Sequence, residues 1–283
     1  MRMRKGAIGA LAIAASAVTA GSLLGGAAAS ASSPAKAPVV VVHMSSKAIT
    51  VGHGIHRMRA GSTIFKVESA RGDHELQIAK LRPGYSLAEA GADVNKAFGG
   101  DVAAVRRVDA NIVFRGGAEA RPGHPGYAAV KLRAGDYVFL DQSSNAYVIM
   151  HVHGTEPART LPARRGSVTT FTYGFGNSPA KLPAKGWVHV NNVSDQPHFV
   201  VFNHVKPGTT GAMVRKYFHG MSEAPPPWGL RASISTGVIS PNVGQLVHYN
   251  LPPGKYLMAC FWPDDDTGMP HAVMGMWKLV WLS

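Results

Sequence analysis

A single cysteine, Cys260, is the residue of this 283-residue chain whose chemistry most needs an explanation. With no second thiol it cannot close an intramolecular disulfide, so it is a buried small hydrophobe, a metal ligand or an intermolecular partner. It ends the segment PGKYLMAC. The following FWPDDDTGMPHAVMGM brings His271 and three thioethers, Met269, Met274 and Met276, within seventeen residues of it, counting both ends. Upstream, NNVSDQPHFVVF carries His198 at the head of an apolar run. Thiolate, imidazole and thioether are donors that suit soft and borderline metal ions. Singly, each has a plainer reading, since a histidine opening a strand is more often structural and a methionine beside a core strand more often packs. No GxSxG, HExxH or other nucleophilic or hydrolytic-zinc signature occurs, so the chain is not expected to be a hydrolase.

The elements that must position these residues read as strands. FKVES, ANIVF, AAVKL and DYVFL in the first half, and GWVHVNN, HFVVF, LVHYN and KYLMACF in the second, are short, β-rich and bounded by turn formers. One helix is expected in each half. Ser86 and Glu89 form a capping box ahead of LAEAGADVNKAF, and TTGAMVRKYFHG follows Gly208. The halves also align with each other. GDHELQIAKLRPG around His74 matches QPHFVVFNHVKPG around His198, and LRAGDYVFLD ending at Asp141 matches LPPGKYLMAC ending at Cys260. These landmarks lie 67 residues apart in the first half and 62 in the second, which points to duplication. The expected fold is all-β: two tandem Greek-key β-sandwich domains, each with one short helical excursion.

The boundaries follow from composition. Arg2, Arg4 and Lys5 precede an uncharged run to Ala31, a signal peptide over 1–31 whose removal leaves a secreted or extracytoplasmic protein with no membrane span. Residues 32–46 read as a flexible stalk, 47–154 as the first domain, 155–166, with EPARTLPARR, as a Pro/Arg linker, and 167–283 as the second domain. The chain carries 29 Lys and Arg against 16 Asp and Glu, a net charge of +13 that falls to about +10 without the leader. That balance suits an anionic cell-envelope component or an acidic redox partner. Nucleic acid is not expected, because the basic residues are scattered and export separates the protein from it.

NNVSDQPHFVVF resembles the segment bearing the first histidine ligand in small blue-copper proteins of the plastocyanin and azurin type, the cupredoxins, with its paired asparagines and Pro-His step. Those proteins complete their site with a Cys at a strand end, a His in the next loop and a Met before the last strand, and the second half here has the same order. The resemblance implies one type 1-like copper held by His198, Cys260, His271 and Met276, with Met274 and Met269 as rival thioethers. A thiolate and two imidazoles form a trigonal set acceptable to Cu(I) and Cu(II), and the thioether tunes the potential. The chain departs from the family in one respect: the Cys-to-His step is eleven residues rather than two to five, through the inserted PDDDTG. The first half has Asp141 where the second has Cys260, so it is expected to hold no such copper; a folded fragment of about 167–283 is expected to bind one copper by itself and one of about 40–155 none. His151 and His153 form an HVH pair similar to those of multicopper oxidases, but the His-Cys-His segment of those enzymes is missing, so an oxidase is not expected. The reading is therefore an exported one-electron carrier or copper holder. The alternative is a metal-free tandem sandwich that binds a cell-surface polymer or protein through its basic surface.

Overall fold

Alternation of apolar and polar residues dominates the computed structural model, which describes residues 34–144, 146–178, 181–220 and 225–283. The predicted leader lies outside the described residues. The first half supplies β1 (Val39–Ser45), β2 (Ala48–Val51), β3 (Arg57–Arg59), β4 (Gly61–Ser69), β5 (His74–Leu81), α1 (Leu87–Phe98), α2 (Val102–Asn111), β6 (Ile112–Ala120), β7 (Gly126–Leu132), β8 (Gly135–Asp141) and β9 (Tyr147–His153). The second supplies β10 (Arg164–Phe171), β11 (Gly174–Ser178), β12 (Lys185–Asn192), β13 (Val201–Val205), α3 (Gly211–His219), β14 (Gly229–Ser235), β15 (Gly244–Asn250), β16 (Gly254–Ala259) and β17 (Trp277–Leu282).

Three sheets result. An eight-stranded sheet runs β11-β10-β12-β15-β7-β4-β1-β2, a five-stranded sheet β3-β9-β8-β5-β6 belongs to the first half, and a four-stranded sheet β14-β13-β16-β17 belongs to the second. Each half puts four strands into the large sheet in the same order and sense. β1 is antiparallel to β2 and parallel to β4, which is antiparallel to β7; β10 relates to β11, β12 and β15 in the same way. The blocks meet where β15 pairs with β7 through Leu246, Val247 and His248. From Pro34 on, the chain forms one compact unit in which the two sandwiches share the eight-stranded sheet.

Several boundaries move accordingly. Val39–Ser45, placed in the stalk by composition, is β1, because a run of four valines finds β4 to pair with. β10 begins inside the predicted linker at Arg164, and the bond from the Ala37 amide to the Thr160 carbonyl ties the linker to the start of the described chain. The helical excursion of the first half is a pair. Ser86 caps α1 with the predicted box, and after Gly99 and Gly100 the side chain of Asp101 caps α2 by accepting the Ala104 amide at 3.0 Å.

Two buried glutamines stitch the halves. Gln77 Oε1 accepts the Val238 amide at 2.7 Å while its Nε2 donates to the Val238 carbonyl at 3.1 Å, and Gln245 Oε1 accepts the Gly117 amide at 2.9 Å. Buried amides are costly unless satisfied, so these bonds fix the register across the seam. Close approach needs glycine there: a Cβ on Gly237 would sit 2.2 Å from the Gly117 nitrogen. One apolar core fills the first sandwich around Phe65, Leu76 and Phe139. The main core of the second, around Phe202, Met258, Cys260 and Met276, also takes Ala97, Val105 and Val108 from α1 and α2.

Candidate metal centre

His198 arrives from a turn built by Asn192, the second of the paired asparagines. The buried Asn192 Nδ2 donates to the carbonyls of Gln196 at 2.7 Å and Ile239 at 3.1 Å, and its Oδ1 accepts the Ser194 amide at 2.9 Å. The chain turns back on itself, and His198 exchanges backbone bonds with Ile239 just ahead of β13. Cys260 follows the last residue of β16, which pairs with β13 through Ala259 and Val201.

The long segment after Cys260 is closed by its own hydrogen bonds. Pro263 and Pro270 bridge, and Asp264 Oδ1 accepts the amides of Asp266 at 3.2 Å and Thr267 at 2.8 Å. The insertion is a pinched-off knob. Leaving out 263–270, the step from Cys260 to His271 is three residues, and the His271 amide bonds the Trp262 carbonyl at 2.9 Å. Met276 donates its amide to the His271 carbonyl at 2.9 Å, and its own carbonyl accepts the Cys260 amide at 3.2 Å. The ends of the loop therefore meet beside β17.

The sequence-predicted thiol and imidazoles converge. Cys260 Sγ lies 3.6 Å from His198 Nδ1 and 3.8 Å from His271 Nδ1, and the two Nδ1 atoms are 3.1 Å apart. A circle through three atoms so spaced has a radius of about 2.0 Å with its centre inside the triangle, close to the bond length of imidazole nitrogen to a first-row metal and slightly short for thiolate. All three residues are buried, His198 at 1% exposure and the others at 0%. Among the described residues, these two histidines and one cysteine are the cluster whose ligand atoms all lie within 4.8 Å of one another, as a metal ion would need.

The protonation pattern fits a cation at that centre. His271 Nε2–H donates to Gln196 Oε1 at 2.9 Å, which leaves the Nδ1 lone pair facing inward. Gln196 is held in turn by donating to Asp264 Oδ2 at 3.2 Å. His198 Nε2 is buried without a partner. If that nitrogen carries the proton, two Nδ1 lone pairs oppose each other at 3.1 Å, an arrangement that a cation between them resolves. Burial pushes the His198 imidazole down to about 3, with the charge of His271 adding to the effect, and takes His271 down to about 4. Burial also pushes the Cys260 thiol up to about 12 against the amides of Phe199 and Trp262. For Asp264, burial opposes the charge, but hydrogen bonds from Tyr173, Thr267 and Gln196 outweigh it and hold the carboxyl below its usual range.

The three thioethers differ. Met276 is fully buried in the core cluster that contains Cys260, Met274 accepts a contact from Thr267 Oγ1 at 3.5 Å on its sulfur, and Met269 is 37% exposed. Elsewhere, His74 Nδ1 meets Asp141 Oδ2 at 2.6 Å, both buried, so the corresponding corner of the first half is filled by a hydrogen-bonded pair. His151 and His153 lie exposed on β9, with His151 paired to Asp136 at 2.7 Å. Sequence reasoning missed Gln196, Asp264 and Tyr173, whose ring stands edge-on to His271 at 5.5 Å. Gln196 lies within the motif that identified His198, and nothing about an isolated glutamine marks it.

No protein-family model and no curated protein matches the chain. Among solved structures, auracyanin A, described as a "blue" copper protein from Chloroflexus aurantiacus, is 16% identical over 41% of this chain and 99% of its own, with a TM-score of 0.28. A copper nitrite reductase from Nitrosomonas europaea is 9% identical over 88% of this chain and 94% of its own, with a TM-score of 0.24.

Proposed function

We propose that this chain is a cupredoxin-like copper protein, exported by its leader, that carries single electrons or holds copper outside the cytoplasmic membrane. His198, Cys260 and His271 would hold the metal, with Met276 as the thioether nearest to hand in the same core. The observation that carries the reading is the triangle of two Nδ1 atoms and one Sγ, sized for one first-row ion and completely buried. Copper, when bound, supplies one-electron chemistry between Cu(I) and Cu(II). This chain's own residues keep its surroundings fixed. Gln196 sets the His271 tautomer, the Asp264 turn returns His271 to the site, and the buried strand ends exclude water, so little atomic movement accompanies a change of charge. The matching strand order of the halves supports a duplicated ancestor whose first copy, with Asp141 in place of cysteine, has exchanged the site for a structural pair.

Cu(II) added to the purified protein should produce an intense thiolate-to-copper absorption toward the red end of the visible spectrum, at one copper per chain and absent in Cys260→Ala. A colourless protein that takes up no copper at stoichiometric addition refutes the reading.

A further inference from the structure

The α1–α2 hairpin belongs to the first half, yet it packs on the ligand loop of the second. Trp262, two residues after Cys260 and 1% exposed, receives the rings of Phe98 and Phe114 edge-on at 5.6 and 5.2 Å. Arg106 of α2 donates from Nε to the Asp265 carbonyl and from Nη2 to Asp266 Oδ1, both at 2.8 Å. The turn between the helices touches the knob through backbone alone: Gly268, at φ +71°, is so close that a Cβ there would stand 2.3 Å from the Gly100 carbonyl oxygen. The contacts fall on Trp262 and on residues 265, 266 and 268 of the knob that makes the Cys-to-His step long.

We propose that the α1–α2 hairpin is the positioning element of the metal loop, with Phe98 and Arg106 as its positioning residues. Trp262 is the link. Its ring is gripped by the first half while its carbonyl accepts the His271 amide, so the grip on the ring fixes the height at which His271 re-enters the site. The Arg106–Asp266 pair is exposed at both ends and worth little as an ion pair; its use is geometric, since one guanidinium forks across two successive residues of the knob. A fragment starting near residue 167 would leave Trp262 without Phe98 and Phe114, so the second half is not self-sufficient as its ligand content suggests. The metal arm of the proposal rests on the copper reading above; the loop arm does not.

The test is the full-length double variant Phe98→Ala/Arg106→Ala, whose residues are both largely solvent-exposed, so the cores keep their packing. In metal-free protein, hydrogen exchange at the His271 and Met276 amides should quicken by about tenfold or more while the β16 amides keep their rates. In copper-loaded protein, the double variant should lose copper to a chelator about tenfold faster and shift the thiolate-to-copper band. Unchanged exchange across 261–276 overturns the proposal whether or not the protein binds copper. Exchange that quickens in a protein taking up no copper supports the clamp and removes only the copper reading. Equal quickening in β16 reports general loosening and also overturns it.

Discussion

Replacing Gln196 by leucine tests how the site is held, because one amide serves both sides of it. Its Oε1 accepts the His271 Nε2–H at 2.9 Å and its Nε2 donates to Asp264 Oδ2 at 3.2 Å, in a region where Gln196 is 7% exposed and His271 and Asp264 are 0% exposed. Leucine fills similar space and satisfies neither group. A buried donor left unmade costs about 1–3 kcal/mol, and a bond to a charged group contributes about 1.5–3 kcal/mol, part of which the other donors to Asp264 retain. We therefore expect a net loss of about 2–4 kcal/mol in the metal-free protein, which for a unit of this size lowers Tm by about 4–16 °C. Without the Oε1 acceptor, His271 is also free to place its proton on Nδ1, so copper affinity measured by chelator competition well below Tm should fall about 10- to 100-fold. A Gln196→Leu protein with unchanged Tm and unchanged affinity would show that the amide orients nothing, and the inward-facing Nδ1 of His271 would need another cause.

Three further outcomes are expected. Met276→Leu should retain copper but raise the reduction potential, because losing a weak axial donor disfavours Cu(II) more than Cu(I), whereas Met274→Leu, whose sulfur faces Thr267, should leave the potential unchanged in voltammetry; the reverse pattern moves the axial role to Met274. Asp141→Ala removes the buried acceptor of His74 and of the Glu75 and Ser143 amides, and should cost about 3–5 kcal/mol in denaturant titrations without altering the copper spectrum. Asp109, pushed up to about 7 by burial and then by the charge of Asp265, keeps its proton in the native state after the unfolded chain has released it near 3.8. Its contribution to stability is therefore full below the unfolded value and lost as pH rises to about 7, so Asp109→Asn should raise Tm at pH 8, leave it nearly unchanged at pH 4, and flatten the profile between; equal shifts at both pH values would contradict that.

The sequence by itself determined the features that depend on neighbouring residues. Strand character follows from alternation, which is why the segments around His198 and Cys260 were legible as two strand-associated donors, and the capping box at Ser86 needs only residues three apart. The order His198, Cys260, His271, Met276 was likewise readable, because residue type and succession survive without coordinates. What only the tertiary structure decided involves partners distant in the chain. That the eleven-residue step ends where it must depends on Pro263 meeting Pro270, and on Asp264 bonding Tyr173 from ninety-one positions away. Residues 39–45 become a strand only when β4 lies beside them as a partner, and the Pro/Arg segment reads as a linker because pairing of β7 with β15 leaves no local mark. The hairpin that grips Trp262 is the same case: Phe98 and Arg106 are ordinary helix residues until chain reversal sets them against a loop about 160 positions further on, since packing is specified by shape and proximity and not by sequence spacing.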